Sequence, residues 1–216
     1  MNSCKVGYFI HKADDSSILS RGDPLKRKIV IAICLLYSLF MAVLAVYYFN
    51  DDEIKKAMVG IGGTVCGIIP LLLVLIFKLK FNLSLIISYI AFLFGSQYLG
   101  SIQEWYGLGW WDTFIHFISG GMLAFTAIAL YERLIRRNAG NAISAWFVFL
   151  FILGFSALGG VLWEVYEFSS DQFFQTTMQG GGNFDTMTDL IAGIIGSFLI
   201  ACFAGVRTKA KQREQK

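Results

Sequence analysis

The chain has 216 residues, of which 56% are hydrophobic, 16% aromatic and only 15% charged, with a formal net charge of +3. Soluble domains carry about 25% charged residues, so this balance and the long apolar runs exclude an ordinary soluble domain. The roughly 10-residue alternating segments of a membrane β-barrel are also missing, which leaves an all-α, polytopic membrane helix bundle as the expected fold class.

The N-terminal segment 1–28 is polar and basic, with Lys5, Lys12, Arg21, Lys26, Arg27 and Lys28. It contains no hydrophobic region of a signal peptide. The first apolar run is too long for one and lacks a small-residue cleavage site, so it reads as an uncleaved first span. Six spans are expected at Ile29–Phe49, Ala57–Phe77, Leu83–Gln103, Thr113–Leu134, Ile143–Leu162 and Met187–Val206. Each approaches the roughly 20 residues that cross a hydrocarbon core of about 30 Å. They form one membrane domain, 29–206, followed by a basic tail, 207–216.

In the second span Gly60, Gly62, Gly63 and Gly67 suit close helix contact, and Pro70 suits a kink. Trp105, Tyr106, Trp110 and Trp111 read as an interfacial aromatic belt before the fourth span. Gly120 with Ala124, and Ala192 with Gly196, are small-residue packing faces. Cys4, Cys34, Cys66 and Cys202 show no metal-ligand spacing and read as small packing residues.

Charge sets the expected orientation. Sixteen of the 18 basic residues fall in the two tails or in the second and fourth loops, leaving only Lys55 and Lys56 on the other side. The positive-inside rule then places both termini in the cytoplasm. The acids do the reverse: Asp51, Asp52, Glu53, Glu104, Asp112, Glu164, Glu167, Asp171, Asp185 and Asp189 all fall on the outer side or in the outer turn of a span. Acidic residues contribute little to orientation, so these need another reason.

Three short motifs hold most of them. "WWDTFIHF" sets Asp112 and His116 at i,i+4. "GGVLWEVYEFSSDQFF" sets Glu164, Glu167 and Asp171 at i, i+3, i+7. "NFDTMTDL" sets Asp185 and Asp189 at i,i+4. On a helix each set shares a face within about 60°. Asp112 and Asp185 suit helix N-termini, where carboxylates satisfy free N–H groups. His116 and Asp189 lie a turn deeper, where an ionisable residue in a span points to function. Glu164 and Glu167 are expected at a helix C-terminus, which disfavours anions, and no Lys or Arg is near in sequence. A divalent cation, shared protons or a protonated His116 would neutralise them. Asp112, His116, Glu164, Glu167, Asp185 and Asp189 are therefore the candidate metal ligands, for Mg²⁺, Mn²⁺, Zn²⁺ or Ca²⁺. Glu167 and Asp189 are the candidate general bases, with His116 a ligand or acid.

These motifs resemble the YjdF-type inner-membrane proteins of bacteria, whose pattern joins a D-x-x-x-H-F step, an E-x-x-E pair closing the next span, and a Gly-rich D-T-x-x-D opening the last. Here Asp112 and His116, Glu164 and Glu167, and Asp185 and Asp189 after "GGG" and Phe184 carry the likeness, over about Trp110 to Gly196. The same half is more distantly similar to VanZ-like proteins, associated with glycopeptide (teicoplanin) resistance. Their last span opens D-x-x-x-N-x-x-G-x-x-x-G. Asp189 stands where that pattern has Asn, Ala192 where it has the first Gly, and Gly196 matches the second. The resemblance implies a multi-pass protein of the bacterial inner (plasma) membrane and supplies no substrate.

Three functions fit the residues. One is a metal-dependent hydrolase or transferase acting on a lipid or cell-envelope substrate. A second is an ion- or proton-coupled transporter, although transport sites tend toward the midplane and these acids cluster at one face. The third is a non-catalytic envelope accessory protein. Membrane lipid is the expected partner; no internal repeat, nucleotide loop or nucleic-acid motif occurs.

Overall fold

A computed structural model describes residues 24–77, 83–134 and 143–214. Among them six helices are long and apolar enough to cross a membrane, and no strand occurs. The basic residues expected at Lys5, Lys12, Arg21, Lys78, Lys80, Arg136, Arg137 and Lys216, with Cys4, lie outside the described residues.

Helix α1 (Pro24–Asn50) and helix α2 (Ile54–Phe77) form an antiparallel hairpin. The turn between them is tight because Asp52 adopts a left-handed conformation, φ 58°, while the Asp51 and Glu53 amides still donate to the Tyr47 and Tyr48 carbonyls. The glycine face of α2 explains the close pairing. A Cβ on Gly60 would lie 2.8 Å from the Ala45 backbone, and one on Gly67 would overlap the Ser38 hydroxyl. Gly62 does not share this role, since a Cβ there would meet nothing within 4 Å.

Helix α3 (Leu83–Leu93) passes into a π-helical segment, Phe94–Ile102, so the third span is not a uniform α-helix. Small residues permit the wider winding and a close approach. The Trp111 indole donates to the Gly95 carbonyl at 3.2 Å, and the Tyr106 ring lies where a Cβ of Gly100 would be. The chain then reverses through left-handed Glu104 (φ 62°), a short 3₁₀ turn (Trp105–Leu108) and left-handed Gly109 (φ 69°). The expected aromatic belt is thereby divided. Trp110 is exposed, whereas Trp111 is 7% exposed and belongs to the core.

Helices α4 (Trp111–Leu134), α5 (Ala145–Phe174) and α6 (Asn183–Glu214) pack on one another as a second unit. Ser144 caps α5 by accepting from the Phe147 amide. This helix corrects the expected end of the fifth span at Leu162. It continues to Phe174, so Glu164 and Glu167 lie within a helix and not at its C-terminus. The reason is burial. Their carboxylates turn into the bundle, so charge does not force the chain into water. Similarly, α6 begins before Met187 and runs on through Arg207–Arg213.

Each unit has its own core. Tyr37, Met41, Leu93 and Ile102 fill the first, extended by Val30, Cys34 and Ile86. Ala124, Ala127, Val148, Ile152, Ala201 and Ala204 fill the second. The helices' outer faces are apolar, with Leu36, Leu39, Val46, Phe198, Leu199 and Phe203 all exposed. Apolar exteriors over buried polar groups are what a bilayer solvent selects.

Candidate functional site

The second unit is held together by small residues. A Cβ on Gly120 of α4 would overlap the Gly193 carbonyl of α6, and one on Gly196 would overlap the Phe117 carbonyl. Backbones in such contact bring side chains one turn earlier on each helix face to face. Those side chains are His116 on α4 and Asp189 on α6, at the end where both helices begin and α5 nears its close.

His116 is the centre. Its Nε2 lies 3.6 Å from Asp112 Oδ1, and its Nδ1 lies 3.6 Å from Glu164 Oε1. Both gaps exceed a direct hydrogen bond. The ligand atoms form two sets, Asp112–His116–Asp189 and His116–Glu164–Glu167, each within 4.8 Å. Ligands on opposite sides of one ion at about 2.0–2.5 Å lie roughly 4–5 Å apart, so either set spans what a single cation can bridge.

The burial is severe. Glu164 and Glu167 are each 5% exposed, and Asp189 is 1% exposed. Neither oxygen of Glu164 nor of Asp189 has a hydrogen-bond partner. Thr186 and Thr113 sit beside them without completing a bond. Glu167 fares better, because its Oε1 accepts the Trp163 indole N–H at 2.8 Å. No Lys or Arg among the described residues pairs with this group. A buried carboxylate without a partner costs several kcal/mol by the usual estimates, a cost that a cation, shared protons or a protonated His116 would each relieve.

Asp112 is the access point, with a side chain 27% exposed. A cavity of about 20 Å³ lies just inside the site, lined by His116, Asp189, Ser119, Ser156, Gly160 and Gly193 among others. That volume holds about one water. Tyr106, in the turn before α4, feels the charges of the site. Burial pushes its phenol up to about 12, the charges of Asp112, Glu167 and Asp189 add to that, and a hydrogen bond with Ser96 acts against it.

Two further acids of the three motifs lie outside these two sets. Asp185 is half-buried in the first turn of α6 and belongs to neither ligand set. Asp171, expected on the face of Glu164 and Glu167, instead staples the loop after α5. Its carboxylate accepts from the Thr176 hydroxyl and the Met178 and Gln179 amides. Sequence reasoning passed over Trp163 as a partner of Glu167, although its i,i+4 spacing was there to be used. Ser119, Ser156 and Tyr106 carried no signal of their own.

Residues 32–210 match the family model described as "Predicted membrane protein (DUF2238)", which covers well over half of the chain. No curated protein matches, and no solved structure matches.

Proposed function

The chain belongs to the DUF2238 family of predicted membrane proteins, and from that premise we propose that its buried carboxylate–imidazole pocket binds a divalent cation for hydrolysis or group transfer on a lipid or cell-envelope substrate. One observation carries this reading: Glu164 and Asp189 are buried, unpartnered and gathered around His116. Carboxylates with one imidazole suit Mg²⁺, Mn²⁺, Zn²⁺ or Ca²⁺. Such an ion polarises a phosphate or ester oxygen and lowers the pKa of bound water. Asp189 or Glu167 would then take the proton. The finer YjdF-type placement rests on the three motifs, and the VanZ-like accessory role on the last span alone. The segregation of basic residues supports cytoplasmic termini and a site on the outer side.

Transport has less support. Transport sites tend toward the midplane, whereas the carboxylates here gather where α4 and α6 begin and α5 nears its close. The test is reconstitution into vesicles of bacterial lipid extract that includes lipid-linked envelope precursors, followed by mass spectrometry. A cleaved or transferred product that needs added Mg²⁺, Mn²⁺ or Zn²⁺ and vanishes in Asp189→Asn is expected. A lipid profile identical to that of protein-free vesicles would refute the enzymatic reading.

A further inference from the structure

The geometry points to a single cation position at Asp112, His116 Nε2 and Asp189, with Glu164 as the positioning residue that accepts the His116 Nδ1–H. This rests on the cation reading above and says where the ion sits. The first reason is the imidazole itself. A neutral ring has one lone pair and one N–H, yet its two nitrogens face carboxylates at the same 3.6 Å. The two ligand sets both need His116, so they compete for the neutral ring's one lone pair, and the other nitrogen donates its N–H.

Three observations choose between them. The cavity of about 20 Å³ is lined by His116 and Asp189, and none of Asp112, Glu164 and Glu167 borders it, so Asp189 is the one carboxylate of either set that faces this space. Sites that do chemistry keep a position open for water or substrate, and this cavity places such room beside Asp189. Access also lies there, because the Asp112 side chain is 27% exposed while that of Glu164 is 6% exposed. Finally, both Asp189 oxygens are free to ligate, whereas one Glu167 oxygen already holds the Trp163 indole.

Glu164 then has a defined task. A metal-bound histidine commonly donates its second N–H to a carboxylate, which fixes the tautomer and ring orientation. Glu164 Oε1 faces Nδ1 and has no other partner. Asp112 and Asp189 supply two negative charges to the ion, and Glu164 acts through the ring.

The experiment titrates Mn²⁺ into purified, chelator-stripped full-length chain in detergent, following free Mn²⁺ by electron paramagnetic resonance. The parent should bind one Mn²⁺ per chain. Asp112→Asn and Asp189→Asn should each weaken binding by 100-fold or more. Glu164→Gln should keep the stoichiometry and weaken binding by roughly 10- to 100-fold, the range for loss of such a partner. Glu167→Gln should stay within threefold of the parent. Asp189→Asn is fully buried and can misfold, so size-exclusion and helicity checks accompany each variant, and the partly exposed Asp112→Asn carries the test if Asp189→Asn fails them. Abolition by Glu167→Gln with Asp112→Asn unaffected would overturn the assignment by moving the ion to the other set. Two Mn²⁺ per chain would also overturn it. No binding to the parent would defeat the cation reading itself.

Discussion

Replacing Gly120 by Ala tests the helix contact on which the whole site depends. A Cβ at this position would overlap the Gly193 carbonyl oxygen and lie 2.7 Å from its carbon. The obstacle is backbone, so no side chain can rotate away. Helices α4 and α6 must part by roughly 1–2 Å to regain ordinary contact near 3.5 Å. Overpacking of this kind costs about 1–3 kcal/mol, and a rigid backbone obstacle belongs at the upper end. Alanine's better helix propensity returns about 1 kcal/mol, leaving a net loss of roughly 2 kcal/mol. For a chain of 216 residues that corresponds to a fall in melting temperature of roughly 4–8 °C. Gly154→Ala is the control, since a Cβ there meets nothing within 4 Å and only the propensity gain applies. Thermal melts in detergent should separate the two variants clearly. Separation of the helices also pulls His116 from Asp189, so Mn²⁺ affinity should fall in Gly120→Ala alone. Equal melting temperatures for the two variants would refute the close contact and the positioning argument built on it.

Three further outcomes follow from the same structure. Accessible-cysteine labels at Asp52 and Gly180 should react from the outside of intact cells, and a label after Lys216 only after lysis; Asp52 and Gly180 on opposite sides would break the six-span topology. Asp171→Ala removes the acceptor for the Thr176 hydroxyl and the Met178 and Gln179 amides, so hydrogen exchange across 175–182 should speed up by tenfold or more while α5 stays protected; unchanged exchange would show that the staple is idle. The Lys56 ammonium, 2.8 Å from Glu104, holds the Glu104 carboxyl below its ordinary range. A depressed carboxylate contributes stability above its unfolded pKa, near 4.3, and loses it as pH falls through the lower folded value. Carboxyl carbon NMR should therefore show Glu104 titrating below an ordinary glutamate in the parent and moving upward in Lys56→Met, and a midpoint indifferent to Lys56 would contradict the pairing.

Much of the architecture was legible because a bilayer constrains sequence so strongly. Length and hydropathy alone marked six crossings, and all six appear as helices. What they missed has physical causes. The end of the fifth span was set at Leu162 with Glu164 and Glu167 closing the helix, whereas the bundle buries them and the helix runs to Phe174. The π-helical winding of the third span depends on Gly95 and Gly100 meeting Trp111, Ile115 and Tyr106, which are long-range contacts that no local pattern encodes. Helical spacing is consistent with the two groups that meet at His116, Asp112–His116–Asp189 and His116–Glu164–Glu167. It could not separate Asp171 from Glu167, because a shared helix face does not say how far the neighbouring helices extend. The family match reaches back to residue 32, beyond the motif-bearing half.

The central claim is that the pocket around His116 is completed by a divalent cation, and chelation during thermal unfolding tests it most directly. A ligand that binds only the folded state adds RT ln(1 + [L]/Kd), about 2.7 kcal/mol at a hundredfold excess over Kd. For a chain of this length, 216 residues, that is a rise of roughly 5–11 °C. The chelated protein should therefore melt lower by about that much, and Mg²⁺, Mn²⁺, Zn²⁺ or Ca²⁺ should restore the parent value. The restoring effect should weaken as pH falls, because carboxylates must be ionised to ligate. A melt indifferent to chelator and metal at neutral pH, with Glu164→Gln and Asp189→Asn both more stable than the parent, would contradict the account and mark these acids as strained groups that no cation relieves.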